Sequence, residues 1–99
     1  MLYGGYATLK LMKVLILYRP KSETATKVES FVRDFQSRYG PGRLEILDID
    51  SRDGMATATL YDVIQYPAIL ALREDGSVLK SWEGDSLPLM DEVAFYAVS

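Results

Sequence analysis

Cysteine and histidine are both missing from this 99-residue chain. Without cysteine there is no disulfide, no thiolate nucleophile and no zinc–sulfur site. Without histidine there is no imidazole base and no imidazole ligand, so neither a metal nor a cofactor is expected. Positive charge is sparse too: eleven Lys and Arg stand against fourteen Asp and Glu, a net charge of -3. The cations are scattered, whereas phosphate binding needs them clustered, so nucleic acid and anionic membrane are not expected partners. The apolar run Val14–Tyr18 falls far short of a bilayer span. The N-terminus lacks the basic start and continuous apolar segment of a secretory signal, and the cytoplasm is the expected location.

What is present describes one globular domain. An apolar share of 48%, with seven Tyr, three Phe and one Trp, supplies enough side chain for a single core. Residues 1–11 show no period over their first eight positions and carry Gly4-Gly5, so they are expected to be a loose N-terminal extension. Met12, directly before the first strand, offers an alternative translation start. Residues 12–99 form the domain.

Leu9–Tyr18 reads as a strand whose Val14–Tyr18 half is apolar on both faces, which suits a central strand covered by helices on each side. Ser22 or Thr24 is expected to cap the following helix, with Glu23 complementing its dipole. Ala25, Val28, Phe31, Val32, Phe35 and Tyr39 make one amphipathic stripe, and Gly40-Pro41-Gly42 stops it with Gly40 as a left-handed C-cap. Leu44–Ile49 is a second strand, parallel to the first by the right-handed βαβ rule. Asp53 is expected to cap a short helix over Met55–Tyr61. Ala68–Leu72 is a third strand, Asp75-Gly76 signals a hairpin, and Val78–Trp82 returns as the fourth. Pro88 opens a last helix with Leu89, Val93, Tyr96 and Ala97 on one face. The order is β-α-β-α-β-β-α.

The stretch from Tyr61 to Leu72 resembles the thioredoxin superfamily. Thioredoxins run tyrosine, glycine, apolar, any, any, apolar, proline, then a small residue and an apolar strand. Tyr61, Val63, Tyr66, Pro67, Ala68 and Ile69–Leu72 fill those places without a gap. The Ile49-Asp50 pair, the Asp-Gly hairpin and Gly84 also follow the family order. The resemblance implies an α/β fold with a four-stranded mixed sheet of order 4-3-1-2. It also implies a cis Tyr66–Pro67 bond that turns the Tyr66 backbone outward beside the first helix. It implies a ligand or peptide groove built from Tyr18, Arg19, Ser22, Glu23, Thr24, Tyr66 and Pro67. Arg19 and Lys21 make that rim locally cationic.

The departure is at the redox position. Ser22-Glu-Thr-Ala25 stands where the family has Cys-x-x-Cys, which excludes dithiol oxidoreductase activity. Ser22 has no neighbouring base, is a poor nucleophile and reads as a helix cap, so no catalytic residue is expected. The resemblance therefore points to a non-enzymatic module binding a protein or peptide. Two other readings stay open. KaiB-type clock proteins also lack the cysteine pair and act by competitive partner binding. Some glutathione-handling relatives use a hydroxyl at this helix start, a place for Ser22 or Thr24. Elsewhere, Asp48-Ile-Asp50-Ser-Arg-Asp53-Gly54 is interrupted for calcium by Arg52 and by Thr59 at the twelfth place, and reads as a polar strand end capping a helix. Trp82 is expected to pack on a sheet face.

Overall fold

The computed structural model describes residues 12–97, so the expected extension over residues 1–11 lies outside the described residues. Strands β1 (Lys13–Tyr18), β2 (Glu45–Asp48), β3 (Ala68–Leu72) and β4 (Val78–Glu83) form one sheet of order β2-β1-β3-β4. Its helices are α1 (Ala25–Tyr39), α2 (Arg52–Leu60) and α3 (Met90–Ala97). β1 runs parallel to β2 and antiparallel to β3, which in turn is antiparallel to β4. This is the expected mixed sheet. No described helix is long and apolar enough to cross a membrane.

β1 and β3 are the inner strands, and their sequences show why. Val14, Leu15, Ile16 and Leu17 are all buried, as is every residue of Ala68–Leu72. Alternate side chains feed opposite faces. Val14, Ile16, Ile69 and Ala71 join Val28 and Phe35 of α1 and Val93 and Ala94 of α3 on one face. Leu15, Leu17, Ala68, Leu70 and Leu72 join Ile49, Ala58 and Val63 beneath α2 on the other. Each large side chain so buried contributes about 1.5–3 kcal/mol.

α1 carries the expected stripe. Phe31, Phe35 and Tyr39 follow one another along it, their ring centroids 6.1 and 4.7 Å apart. Tyr39 Oη donates to Asp91 of α3 at 2.8 Å, tying the two helices of that layer. Trp82 packs on the same layer, with its ring edge-on to Tyr96.

Several local expectations are corrected. Thr24 is the N-cap of α1, but its side chain makes no capping bond, because its backbone (φ -90°, ψ -3°) is already near-helical and holds the hydroxyl away from the first N–H groups. Ser22 does not cap: its hydroxyl donates backward to the Arg19 carbonyl at 2.7 Å. Glu23 lies ahead of the first turn, which contains no acid. Gly40 has positive φ but an extended ψ (97°, 157°), so it is no left-handed cap; its N–H still bonds the Gln36 carbonyl. The cap of α2 is Ser51, not Asp53, because Ser51 has the extended backbone that lets its Oγ accept from the Gly54 N–H at 3.0 Å. α3 begins at Met90, leaving Pro88 ahead of it and Leu89 72% exposed, where Leu89 N–H bonds Glu92 instead.

Two backbone positions around α2 matter. Gly54 sits where the helix start presses on the end of β2, and a Cβ there would strike the Asp48 carbonyl. At the other end, Val63 N–H bonds the Ala58 carbonyl at 2.9 Å and Asp62 N–H bonds that of Thr59 at 3.3 Å, the Schellman closure of a helix. Its left-handed position is filled by Asp62, at φ 54° the one non-glycine residue with positive φ among those described. The thioredoxin pattern has glycine at that position.

Two substitutions give opposite and counter-intuitive results in urea unfolding. Gly54→Ala, which helix propensity alone would favour, destabilises the protein by about 1–3 kcal/mol through overpacking. Asp62→Gly relieves the left-handed side chain and stabilises by about 0.5–1 kcal/mol.

Candidate functional site

The sheet's carboxyl end of β1 and β2 gathers the polar residues. β1 leads into Arg19, β2 into Ile49 and Asp50, and the return from α2 passes through Asp62–Tyr66 before β3 begins. Between these segments lies a groove of about 480 Å³, lined by Arg19, Asp50, Met55, Thr59, Asp62, Ile64 and Tyr66 over a floor of buried Ile49, Ala58 and Val63. A shallower hollow continues along α2 past Arg52, Ala56 and Leu60. Large apolar side chains stand exposed along these walls: Met55, Leu60 and Ile64 are 55%, 72% and 81% exposed.

The polar groups of the groove are held in fixed pairs. Arg19 makes a two-pronged contact to Asp50, Nε to Oδ2 at 3.0 Å and Nη2 to Oδ1 at 3.3 Å. The hydrogen bonds and charge of Asp50 hold the Arg19 guanidinium still more firmly protonated. Asp48 Oδ1 accepts from the Asp50 N–H at 2.8 Å, and Ser51 Oγ donates to the Asp48 carbonyl at 2.6 Å. The acidic run 48–53 is thus a strand end and a helix cap. Tyr66, half-buried on the α2 side, donates from its hydroxyl to the Val63 carbonyl at 3.2 Å. Glu83 Oε1 receives the Ile64 and Gln65 N–H groups over long contacts of 3.4 and 3.3 Å.

The residues singled out by sequence are distributed around this end of the sheet. Arg19 and Tyr66 line the groove. Tyr18 lies on the opposite face, against the α1 layer, with its hydroxyl 2.9 Å from Glu29 Oε2. Burial and then that hydrogen bond push the Tyr18 phenol above its ordinary range. Ser22 and Thr24 stand at the start of α1 with their hydroxyl oxygens 3.2 Å apart, and Glu23 is exposed beside them. Pro67 is fully buried behind a cis peptide bond, and its carbonyl accepts from Gly84 N–H at 2.9 Å. The β3 ladder begins at Ala68, so the main chain of Tyr66 stands outside it.

Sequence reasoning missed Asp50, Met55, Asp62 and Ile64 as groove residues. A usable signal existed for Asp62, the residue in the place of the expected glycine. Met55, Leu60 and Ile64 gave one as well, being large apolar residues outside any buried stripe.

No family model matches the chain, and no curated protein matches it. Solved structures do. The thioredoxin of Fasciola hepatica superposes with a TM-score of 0.67 at 11% identity, over 94% of this chain and 84% of that one. Malaria parasite thioredoxin-2, described as a component of the parasite's protein secretion machinery, gives 0.66 at 20% identity over 90% and 84%. Deadhead, the germline-specific thioredoxin of Drosophila melanogaster, gives 0.64 at 19% identity over 93% and 83%. The fold is therefore thioredoxin-like, and the absence of cysteine argues against its usual dithiol chemistry.

Tyr18 should leave a pH signature. Its phenol is raised in the folded protein, so the stability it contributes is complete below about pH 10, where the unfolded chain titrates, and declines as pH climbs toward the folded value. Urea unfolding of the protein and of Tyr18→Phe at pH 9 and pH 11 checks this: the wild type loses more stability between the two than the variant does.

Proposed function

We propose that this protein is a non-redox interaction module of the cytoplasm, which holds a segment of a partner protein or peptide at the Arg19–Tyr66 end of its sheet. The observation that carries the reading is the groove of about 480 Å³, walled by exposed Met55 and Ile64 and floored by buried Ala58 and Val63. An apolar trough with a few placed polar groups is the common form of a recognition site. Tyr66, beyond the end of the β3 ladder, can offer its main chain to an extended segment. Ser22, Glu23 and Thr24 at the start of α1, Tyr18 on the opposite face and the buried Pro67 stand outside the groove lining.

Catalysis has little to work with here. Ser22 Oγ is committed to the Arg19 carbonyl and to Thr24, and no imidazole or thiol exists in the chain. A hydroxyl nucleophile without an adjacent base is weak. The Arg19 guanidinium, the natural holder of a carboxylate, is occupied by Asp50.

The test is shift mapping on the isotopically labelled full chain with partner protein isolated from the native source. Amides of Arg19, Asp50 and Thr59–Tyr66 move when the partner is added; shifts confined to α1, α3 or β4 reject the groove. Ile64→Asp, at an exposed position, leaves stability within about 0.5 kcal/mol and weakens the partner about tenfold. Calorimetry with glutathione gives no heat, whereas binding there would favour a thiol-handling enzyme.

A further inference from the structure

Three ionised side chains line the groove, and two of them cancel. Arg19 and Asp50 neutralise each other at 3.0 Å. Asp62 has no ion-pair partner among the described residues, and it lines the same groove. Its position is set by the backbone, since the Schellman closure of α2 places it in the left-handed region, its N–H bonded to the Thr59 carbonyl. Glycine would satisfy that turn with less strain. The chain instead accepts a strained carboxylate at the lip of an apolar trough. A second carboxylate, Glu83, accepts from the Ile64 and Gln65 N–H groups of the adjacent turn and stands outside the groove lining.

We infer that the occupant of this groove is an extended partner segment that sets a Lys or Arg against Asp62 and an apolar side chain against Met55 and Ile64. The inference rests on the groove reading above and names the chemistry of its partner. Charge complementarity selects the basic residue: among the described residues that line it, the groove carries one uncompensated negative charge, and an acidic segment would meet Asp62 with repulsion. The apolar residue follows from the walls, whose exposed Met55 and Ile64 gain by losing water. In an extended segment, residues two apart project to the same side, so an apolar–x–basic spacing presents both groups together.

The experiment uses the labelled full chain and two short, acetylated and amidated Gly/Ser peptides. One carries Leu and Arg separated by a single residue; the other carries Leu and Glu in the same places. The Leu/Arg peptide shifts the amides of Thr59–Tyr66 and binds about threefold more weakly to Asp62→Asn, the loss expected for an exposed ion pair. Asn tolerates the left-handed backbone, so that variant keeps the turn. The Leu/Glu peptide binds more weakly than its counterpart to the wild type. Equal binding of both peptides at Thr59–Tyr66, or no effect of Asp62→Asn, overturns the basic partner while leaving the groove itself standing. Shifts from the Leu/Arg peptide confined to other surfaces overturn both. An absence of any shift at millimolar peptide overturns the inference alone, because the groove is tested separately by the native partner.

Discussion

The arrangement of this molecule depends on one constraint: β1 and β3 are apolar on both faces, so neither can stand at an edge or face water. Their antiparallel pairing puts the buried runs Val14–Leu17 and Ala68–Leu72 side by side. Everything else is cover. The aromatic stripe of α1 and the small buried face of α3 close one side, and α2 with Ile49 and Val63 closes the other. The edges go to the strands with exposed, charged positions, β2 with Glu45 and β4 with Lys80 and Glu83. Edge strands so decorated resist pairing with other chains.

Covering the second face with a helix as short as α2 has a consequence. Its nine residues bury only Gly54 and Ala58, and the chain must then turn back through Asp62–Tyr66 to reach the start of β3. The turn and the helix meet at Ala58 and Val63, and the groove is the space left between them and the ends of β1 and β2. This thioredoxin-like frame, without thiols, leaves an open groove at that end of the sheet. The carboxyl ends of β1 and β2 lie at its rim, and Arg19–Asp50 bridges them.

The start of α1, where dithiol members of the fold hold their reactive pair, contains two hydroxyls that bond locally. The left-handed backbone lies elsewhere, at Asp62 in the turn that lines the groove. A backbone outlier at a surface turn is destabilising and persists when the surrounding bonds over-determine it, as the three N–H contacts at residues 61, 62 and 63 do here.

Much of this was legible in the residues. Both-face hydrophobicity identified β1 as a central strand, the period of Ala25–Tyr39 identified α1, and the thioredoxin resemblance carried by Tyr61–Leu72 placed β3 beside β1. These features are local: hydrophobic period and turn chemistry act within a few residues and need no knowledge of the rest. The capping of α2 by Ser51, the release of Ser22 from any capping role and the exposure of Leu89 were not legible, because each depends on a backbone angle or a helix phase. Of the groove, the residues gave Arg19 and Tyr66, and the rest belonged to the tertiary structure. Met55, Asp62 and Ile64 meet Arg19 and Asp50 only because the β1–β2 crossover and the return from α2 converge at one end of the sheet, and no window along the chain contains that convergence.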